Sequence, residues 1–98
     1  MAQVEIISEL QENKGWMFEV QVLNDAGALS RHRLTLSWAD YNLWSPDGAD
    51  EPERVAEAVV LYLRSRMSAE ELGARFDASI ARRKFPSADM EIPQMIRR

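Results

Sequence analysis

Apolar side chains take every second position in Trp16-Met17-Phe18-Glu19-Val20-Gln21-Val22, and the pattern returns in His32-Arg33-Leu34-Thr35-Leu36 after a short polar break. Period-two alternation marks a strand with one buried face, so this stretch commits the chain to a β-hairpin. The break sets the register, because Asp25-Ala26-Gly27 suits a three-residue loop whose last residue is left-handed and best filled by glycine. Centred on Ala26, the hairpin pairs Trp16 with Leu36, Phe18 with Leu34, Val20 with His32 and Glu19 with Arg33. Apolar then meets apolar and a carboxylate faces a guanidinium. Trp38 continues the inner side.

The same turn logic applied to Asn13-Lys14-Gly15 folds a first strand, about residues 4–10, back onto the second. Leu10 then faces Phe18, Ile6 faces Val22, and Ser8 falls opposite Val20, where its hydroxyl bonds locally. The outer face of the resulting sheet carries Glu5, Glu9, Glu19, Gln21, Arg31 and Arg33, with Ile7, Met17 and Leu23 among them.

After Leu36 the period lengthens. Ser37-Trp38-Ala39-Asp40 reads as a variant capping box opening a short helix to Trp44, and Ser45-Pro46-Asp47-Gly48 as a turn. A second helix starts at Asp50, with Pro52 and Glu53 in its first turn, and runs over 52–66 on Val55, Ala58, Val59, Tyr62 and Leu63. Val60 and Leu61 widen its apolar face, as suits a helix between the sheet and another element. Ser68-Ala69-Glu70-Glu71 is the clearest capping box and opens a third helix bearing Leu72 and Phe76; Asp77 caps a fourth short segment through Ile80 to Lys84, closed by Phe85-Pro86. The expected fold is α+β: a three-stranded antiparallel meander packed on one face by three to four helices. One domain covers residues 1–86, and residues 87–98, interrupted by Pro93 and without clear period, form a C-terminal tail expected to be loosely held.

Composition narrows the function classes. The 98 residues contain no cysteine, so disulfides, thiolate metal sites and cysteine nucleophiles are excluded, and a reducing compartment, the cytoplasm, is the expected location. The longest apolar run, 58–63, is 6 residues, and Met1-Ala2-Gln3 leads into Glu5, so neither a membrane span nor a signal peptide is expected. Net charge is -4, but residues 1–53 carry 10 acidic and 3 basic side chains while residues 54–98 carry 6 and 9. Such an asymmetry fits either differently decorated elements or a surface for a partner of opposite charge.

The combination Gly15-Trp16-x-Phe18-Glu19-Val20-x-Val22, His32-Arg33-Leu34-Thr35-Leu36, Tyr41, Pro52-Glu53, Arg75-Phe76-Asp77, Ile80 and Phe85-Pro86 resembles a family of short, uncharacterised bacterial proteins. The resemblance spans about residues 15–86. The chain departs from that pattern at Lys84 and at Val60-Leu61, where the family pattern has aromatic residues. It implies a bacterial, cytoplasmic protein and brings no activity, ligand or catalytic residue with it. A looser likeness to small antitoxin-like domains is one of fold alone and assigns no function.

Catalytic chemistry finds little to rest on. His32 is the sole histidine, and no serine or aspartate stands at a triad spacing. Asp47, Asp50, Glu51 and Glu53 lack the ligand order of a calcium loop and fit a helix start instead. The 4 glycines are dispersed, which leaves no phosphate loop or dinucleotide fingerprint. Glu70 and Glu71 point about 100° apart on a helix and do not converge on one bond. Trp16, Phe18, Trp38, Tyr41 and Trp44 could line a pocket beside His32, although their spacing is that of core residues. No enzyme activity, metal or cofactor is expected.

Binding has more support. Arg82-Arg83-Lys84 is the densest basic run, and Arg64, Arg66 and Arg75 lie on neighbouring segments read as helical. Arg82, Arg83, Lys84, Arg64 and Arg66 are therefore the candidate contacts for an acidic partner or a nucleic acid. The pI of about 5.0 and the absence of a recognised motif weigh against nucleic acid. The broad apolar face at 59–63, the outer-sheet apolar residues and two free strand edges point to protein association, including a homodimer. The expected role is that of a small non-enzymatic interaction or regulatory protein, with nucleic-acid binding through the basic cluster as the alternative.

Overall fold

In the computed structural model, which describes residues 2–97, the chain runs β1 (Gln3–Glu12), β2 (Gly15–Leu23), β3 (Leu29–Ser37), α1 (Trp38–Trp44), α2 (Pro52–Arg64), α3 (Ala69–Leu72), β4 (Arg75–Asp77), α4 (Ile80–Lys84) and α5 (Ala88–Ile96). The β2–β3 register is the one its loop predicts: Trp16 pairs with Leu36, Phe18 with Leu34, Glu19 with Arg33 and Val20 with His32. Asn24 organises that loop, its Oδ1 accepting from the Ala26 and Ala28 amides at 2.9 and 2.8 Å. This local side-chain turn was not read from the sequence.

Trp16, Phe18, Val20, Val22, Leu34 and Leu36 are buried on the inner face, joined there by Val55, Val59, Val60 and Leu63 of α2. Burying each large apolar side chain contributes roughly 1.5–3 kcal/mol, so the hairpin and α2 form the centre of the core. Their partners at the next position along β2, from Met17 to Leu23, remain half-buried on the other face.

The first hairpin differs from expectation. Asn13 and Lys14 form a two-residue turn, so Gln11 pairs with Trp16, Glu9 with Phe18, Leu10 with Met17 and Ser8 with Glu19. A bulge at Ile7 then shifts the register, and Ile6 meets Val20 while Val4 meets Val22. Leu10 thus lies outside and Glu9 inside, reversing the simple alternation, and both stay exposed. No large desolvation opposes that arrangement. Gly15 locks the corner: its φ is 155°, and a Cβ there would stand 2.0 Å from the Leu36 carbonyl oxygen.

The sheet has four strands, not three. β4 pairs parallel to β3, placing Phe76 beside Leu34 and Asp77 beside Thr35. The i, i+4 spacing of Leu72 and Phe76 suggests one helix face, but Gly73 (φ 82°) ends α3 in a left-handed turn and the chain emerges extended. The capping box itself is formed, with Ser68 Oγ accepting from the Glu71 amide (3.1 Å) and Glu71 Oε1 from the Ser68 amide (2.9 Å). Those bonds hold the Glu71 carboxyl below its ordinary range.

Ser37 caps α1 through the Asp40 amide (3.1 Å), and Trp38 enters that helix at the surface, its ring 4.3 Å from that of Trp16. α2 is preceded by Glu51, which makes no side-chain cap; Asp50 instead accepts from Ser45 Oγ at 2.9 Å, and its carbonyl accepts from the Tyr41 hydroxyl. The helix ends at Arg64, two residues before the expected end. Residues 87–97 are also more ordered than their lack of period implied. Ala88, Ile92 and Ile96 stand at i, i+4 and i+8 and are buried in α5, so the core extends past the expected boundary at 86. Pro93 inside this helix removes one main-chain bond, and packing against α2 compensates.

Candidate functional site

His32 is buried opposite Val20, as its register requires. Its Nδ1 lies 2.6 Å from the Gly73 carbonyl oxygen and its Nε2 3.0 Å from Ser30 Oγ. A carbonyl can only accept, so Nδ1 carries a proton and Nε2 faces the hydroxyl. The ring meets Phe76 edge-on at 5.9 Å, tying β3 to the α3–β4 connection. The aromatic group Trp16, Trp38 and Tyr41 gathers at the other end of the hairpin, with Trp16 and Tyr41 rings 5.2 Å apart. Among the described residues, no group of three or more His, Asp or Glu is placed to hold a metal ion, and no helix is long and apolar enough to cross a membrane.

The basic run does not present itself as one patch. Arg82 Nε donates to both Asp89 oxygens (3.0 and 3.3 Å) and its Nη1 lies 3.5 Å from Asp40 Oδ1, while Trp44 Nε1 donates to Asp89 Oδ1 (3.1 Å). Burial and the neighbouring Asp77 raise the Asp40 carboxyl above its ordinary range, against the opposing pull of Arg82. Asp77 behaves in the opposite way. Burial alone would raise it, but hydrogen bonds from Ser79 and Thr35, with Arg83 nearby, hold it below the ordinary range. Thr35 Oγ1 donates at 2.5 Å and the Ser79 amide at 3.0 Å. The charge of Arg83 thus acts on Asp77, and that of Lys84 on Glu71. Arg82 is the residue of this run held most firmly within the fold.

Arg64 and Arg66 lie elsewhere. With Arg54 they line a cleft of about 770 Å³ between α2, α5, the start of β1 and the β2–β3 loop. The Arg66 guanidinium lies 3.9 Å from the Tyr62 ring centre and pairs with Glu91 at 2.7 Å. None of Arg82, Arg83 and Lys84 lines this cleft.

The outer face of the sheet is a second open surface. Register places Glu5 with Gln21 and Arg31, then Ser8 with Glu19, Arg33 and Arg75, then Leu10 with Met17, Thr35 and Asp77. A shallow groove of about 220 Å³ lies over this face, lined by Ile7, Glu19, Arg31, Arg33 and Arg75 among others. Arg33 pairs with Glu19 at 2.9 Å and Arg31 Nε donates to Gln21 Oε1 at 3.2 Å. Glutamates thus occupy the β1–β2 half and guanidiniums the β3–β4 half, where Asp77 also stands but accepts from Thr35 and the Ser79 amide. Leu29 and Leu10 are 62% and 55% exposed there, more than ordinary half-buried strand residues.

Arg75 is the residue that sequence reading misplaced most, putting it on a helix when it ends up on the outer face of β4. Arg75-Phe76-Asp77 carries the period-two signal two residues after Gly73, but three residues are too short to outweigh a helical spacing. Tyr62 counted only as part of an apolar face, whereas its hydroxyl is buried with no hydrogen-bond partner among the described residues. No protein-family model, curated protein or solved structure matches the chain.

Proposed function

We propose that this chain is a small interaction module of the bacterial cytoplasm that acts by binding and pairs with a second copy through the uncovered face of its sheet. The observation that carries this reading is the division of charge on that face, with Glu5, Glu12 and Glu19 on β1 and β2 and Arg31, Arg33 and Arg75 on β3 and β4, where the Asp77 carboxylate is already taken up by Thr35 and Ser79. A two-fold axis lying in the interface and parallel to the strands sets the acidic half of each copy over the basic half of the other, an isologous contact. Glu19 and Arg33 already pair within the chain. The side chains of Arg75, Glu5 and Glu12 make no hydrogen bond or ion pair among the described residues, which leaves them for the partner. Leu10, Leu29, Ile7, Met17 and Leu23 supply the apolar surface, and two sheets packed face to face keep their strands within about 30° of each other.

The free edge of β1 is a poorer contact. It carries a bulge and Glu5, Glu9 and Glu12, so two copies paired edge to edge would bring like charges together. Nucleic-acid binding through Arg82, Arg83 and Lys84 has less support, because Arg82 is already held by Asp40 and Asp89.

Sedimentation equilibrium over a concentration series tests the pairing. The native chain is expected to dimerise, Arg75→Glu to shift it toward monomer, and Glu5→Lys combined with Arg75→Glu to recover the dimer. A monomer at every concentration, or a dimer indifferent to Arg75→Glu, would refute the reading.

A further inference from the structure

We infer that the cleft between α2 and α5 is a binding site for a small amphipathic carboxylate. This rests on the cleft alone and is independent of how the sheet face is used. At about 770 Å³ the cleft lies within the range of small-molecule sites. Its floor is the α2 stripe Arg54, Leu61, Arg64 and Ser65, at helical spacing i, i+7, i+10 and i+11, and Met95 of α5 and Ala2 add apolar surface.

The guanidiniums differ in what they have left to offer. Arg66 is paired with Glu91 and stacked on Tyr62, and Arg54 bonds Glu57 at 3.1 Å and the Ile96 carbonyl at 3.2 Å. Arg64 has no carboxylate among the described residues. Its Nη1 donates to the Met67 carbonyl at 2.8 Å, and Nε and Nη2, which share one edge of the guanidinium plane, have no acceptor there. That edge matches the two oxygens of a carboxylate. The Nε is covered in the free protein, as is the unpartnered Tyr62 hydroxyl two residues before, so occupancy involves a small outward adjustment of the Arg64 side chain.

The charge balance favours a monoanion. Three guanidiniums, Arg54, Arg64 and Arg66, line the cleft against two carboxylates, Asp25 and Glu91, so the lining carries one net positive charge. A phosphate dianion would leave a negative charge facing Asp25 and Glu91, which also line the cleft. The ligand's apolar part would lie on Leu61, Met95 and Ala2, exchanging exposed apolar surface for contact.

Octanoate is the probe, titrated into the intact protein and followed by amide chemical shifts and thermal denaturation. Saturable shifts at Leu61, Arg64, Ser65 and Met95 with a raised Tm are expected, and neither 1-octanol nor inorganic phosphate should reproduce them. Arg64→Lys keeps the charge but loses the paired edge, and should weaken binding by about tenfold or more. Tyr62→Phe removes a hydroxyl that has no partner in the free protein, so it should leave the free protein at least as stable while weakening octanoate binding. Absence of shifts at the cleft, equal binding of 1-octanol, or unaltered affinity in Arg64→Lys would overturn the inference. So would a Tyr62→Phe protein that loses stability and binds octanoate as the native chain does.

Discussion

The two faces of the sheet are built from alternate residues of the same strands, yet only one of them is a core. Along β2, Trp16, Phe18, Val20 and Val22 are buried in the core shared with the helices, α2 foremost, while Met17, Glu19, Gln21 and Leu23 remain half-buried. The inner face is apolar and closed, and its energy comes from the area removed from water. The outer face is ordered by pairs, Glu19 with Arg33 and Gln21 with Arg31, between groups that remain solvated. Exposed pairs of this kind contribute about 0–1 kcal/mol, so the outer face adds little to folding. The comparison separates what folds this chain from what it can offer a partner.

The largest effect that would break this comparison belongs to the inner face. Phe18 is fully buried at the centre of the core, and Phe18→Ala is expected to lower unfolding free energy by about 3–5 kcal/mol in urea denaturation. A loss as small as that of a surface substitution would mean the core lies elsewhere.

A smaller effect tests the rim where the sheet meets α1 and α4. Asp77 is held below its ordinary range, so its contribution to stability is fully present above the unfolded value of 3.8 and is lost as pH falls through the lower folded value. Asp77→Asn should therefore be destabilised by about 1–3 kcal/mol at neutral pH and converge on the native chain in acid. Asp40 has the opposite sign. Its raised value means the folded state takes up a proton first, so the native chain gains relative to Asp40→Asn as pH falls through that raised value. Denaturation curves of both variants between neutral pH and acid check these directions, and parallel profiles would contradict them.

The smallest expected effect sharpens the contrast. Leu29 is 62% exposed on the outer face, and Leu29→Ser should change monomer stability by no more than about 0.5 kcal/mol. In sedimentation the same change should weaken self-association. A marked loss of monomer stability would show that the outer face takes part in the core.

The parts legible in the sequence were those where local and periodic signals agree. Glu19 facing Arg33 and Val20 facing His32 follow from one loop and one alternation, and the capping box at Ser68 follows from four residues. β1 departs from the expected register for two reasons: its turn holds two residues, Asn13 and Lys14, rather than three, and a bulge at Ile7 changes which side each later residue occupies. Past that bulge neither side of β1 is well covered, so burial does not penalise the changed register. The candidate site was legible in kind but not in place: Arg64 and Arg66 reach one cleft, Arg82 is drawn to Asp40 and Asp89, and Arg75 passes to the outer sheet face.

Alternation and turn chemistry act over a few residues, and they suffice to fix the central hairpin, the start of α3 and the α+β class. Three outcomes needed the folded chain: the parallel pairing of β4, the burial of α5 and the difference in partners among the arginines. Each depends on which surfaces are already present when distant segments meet. β4 is extended because the edge of β3 offers it main-chain partners, with the Ala74 carbonyl accepting from the Arg33 amide at 2.7 Å. α5 is ordered because α2 offers Ile92 and Ile96 a dry face. The fate of each guanidinium is likewise set by the carboxylates that folding brings within reach, a matter of distance in space that spacing along the chain does not encode.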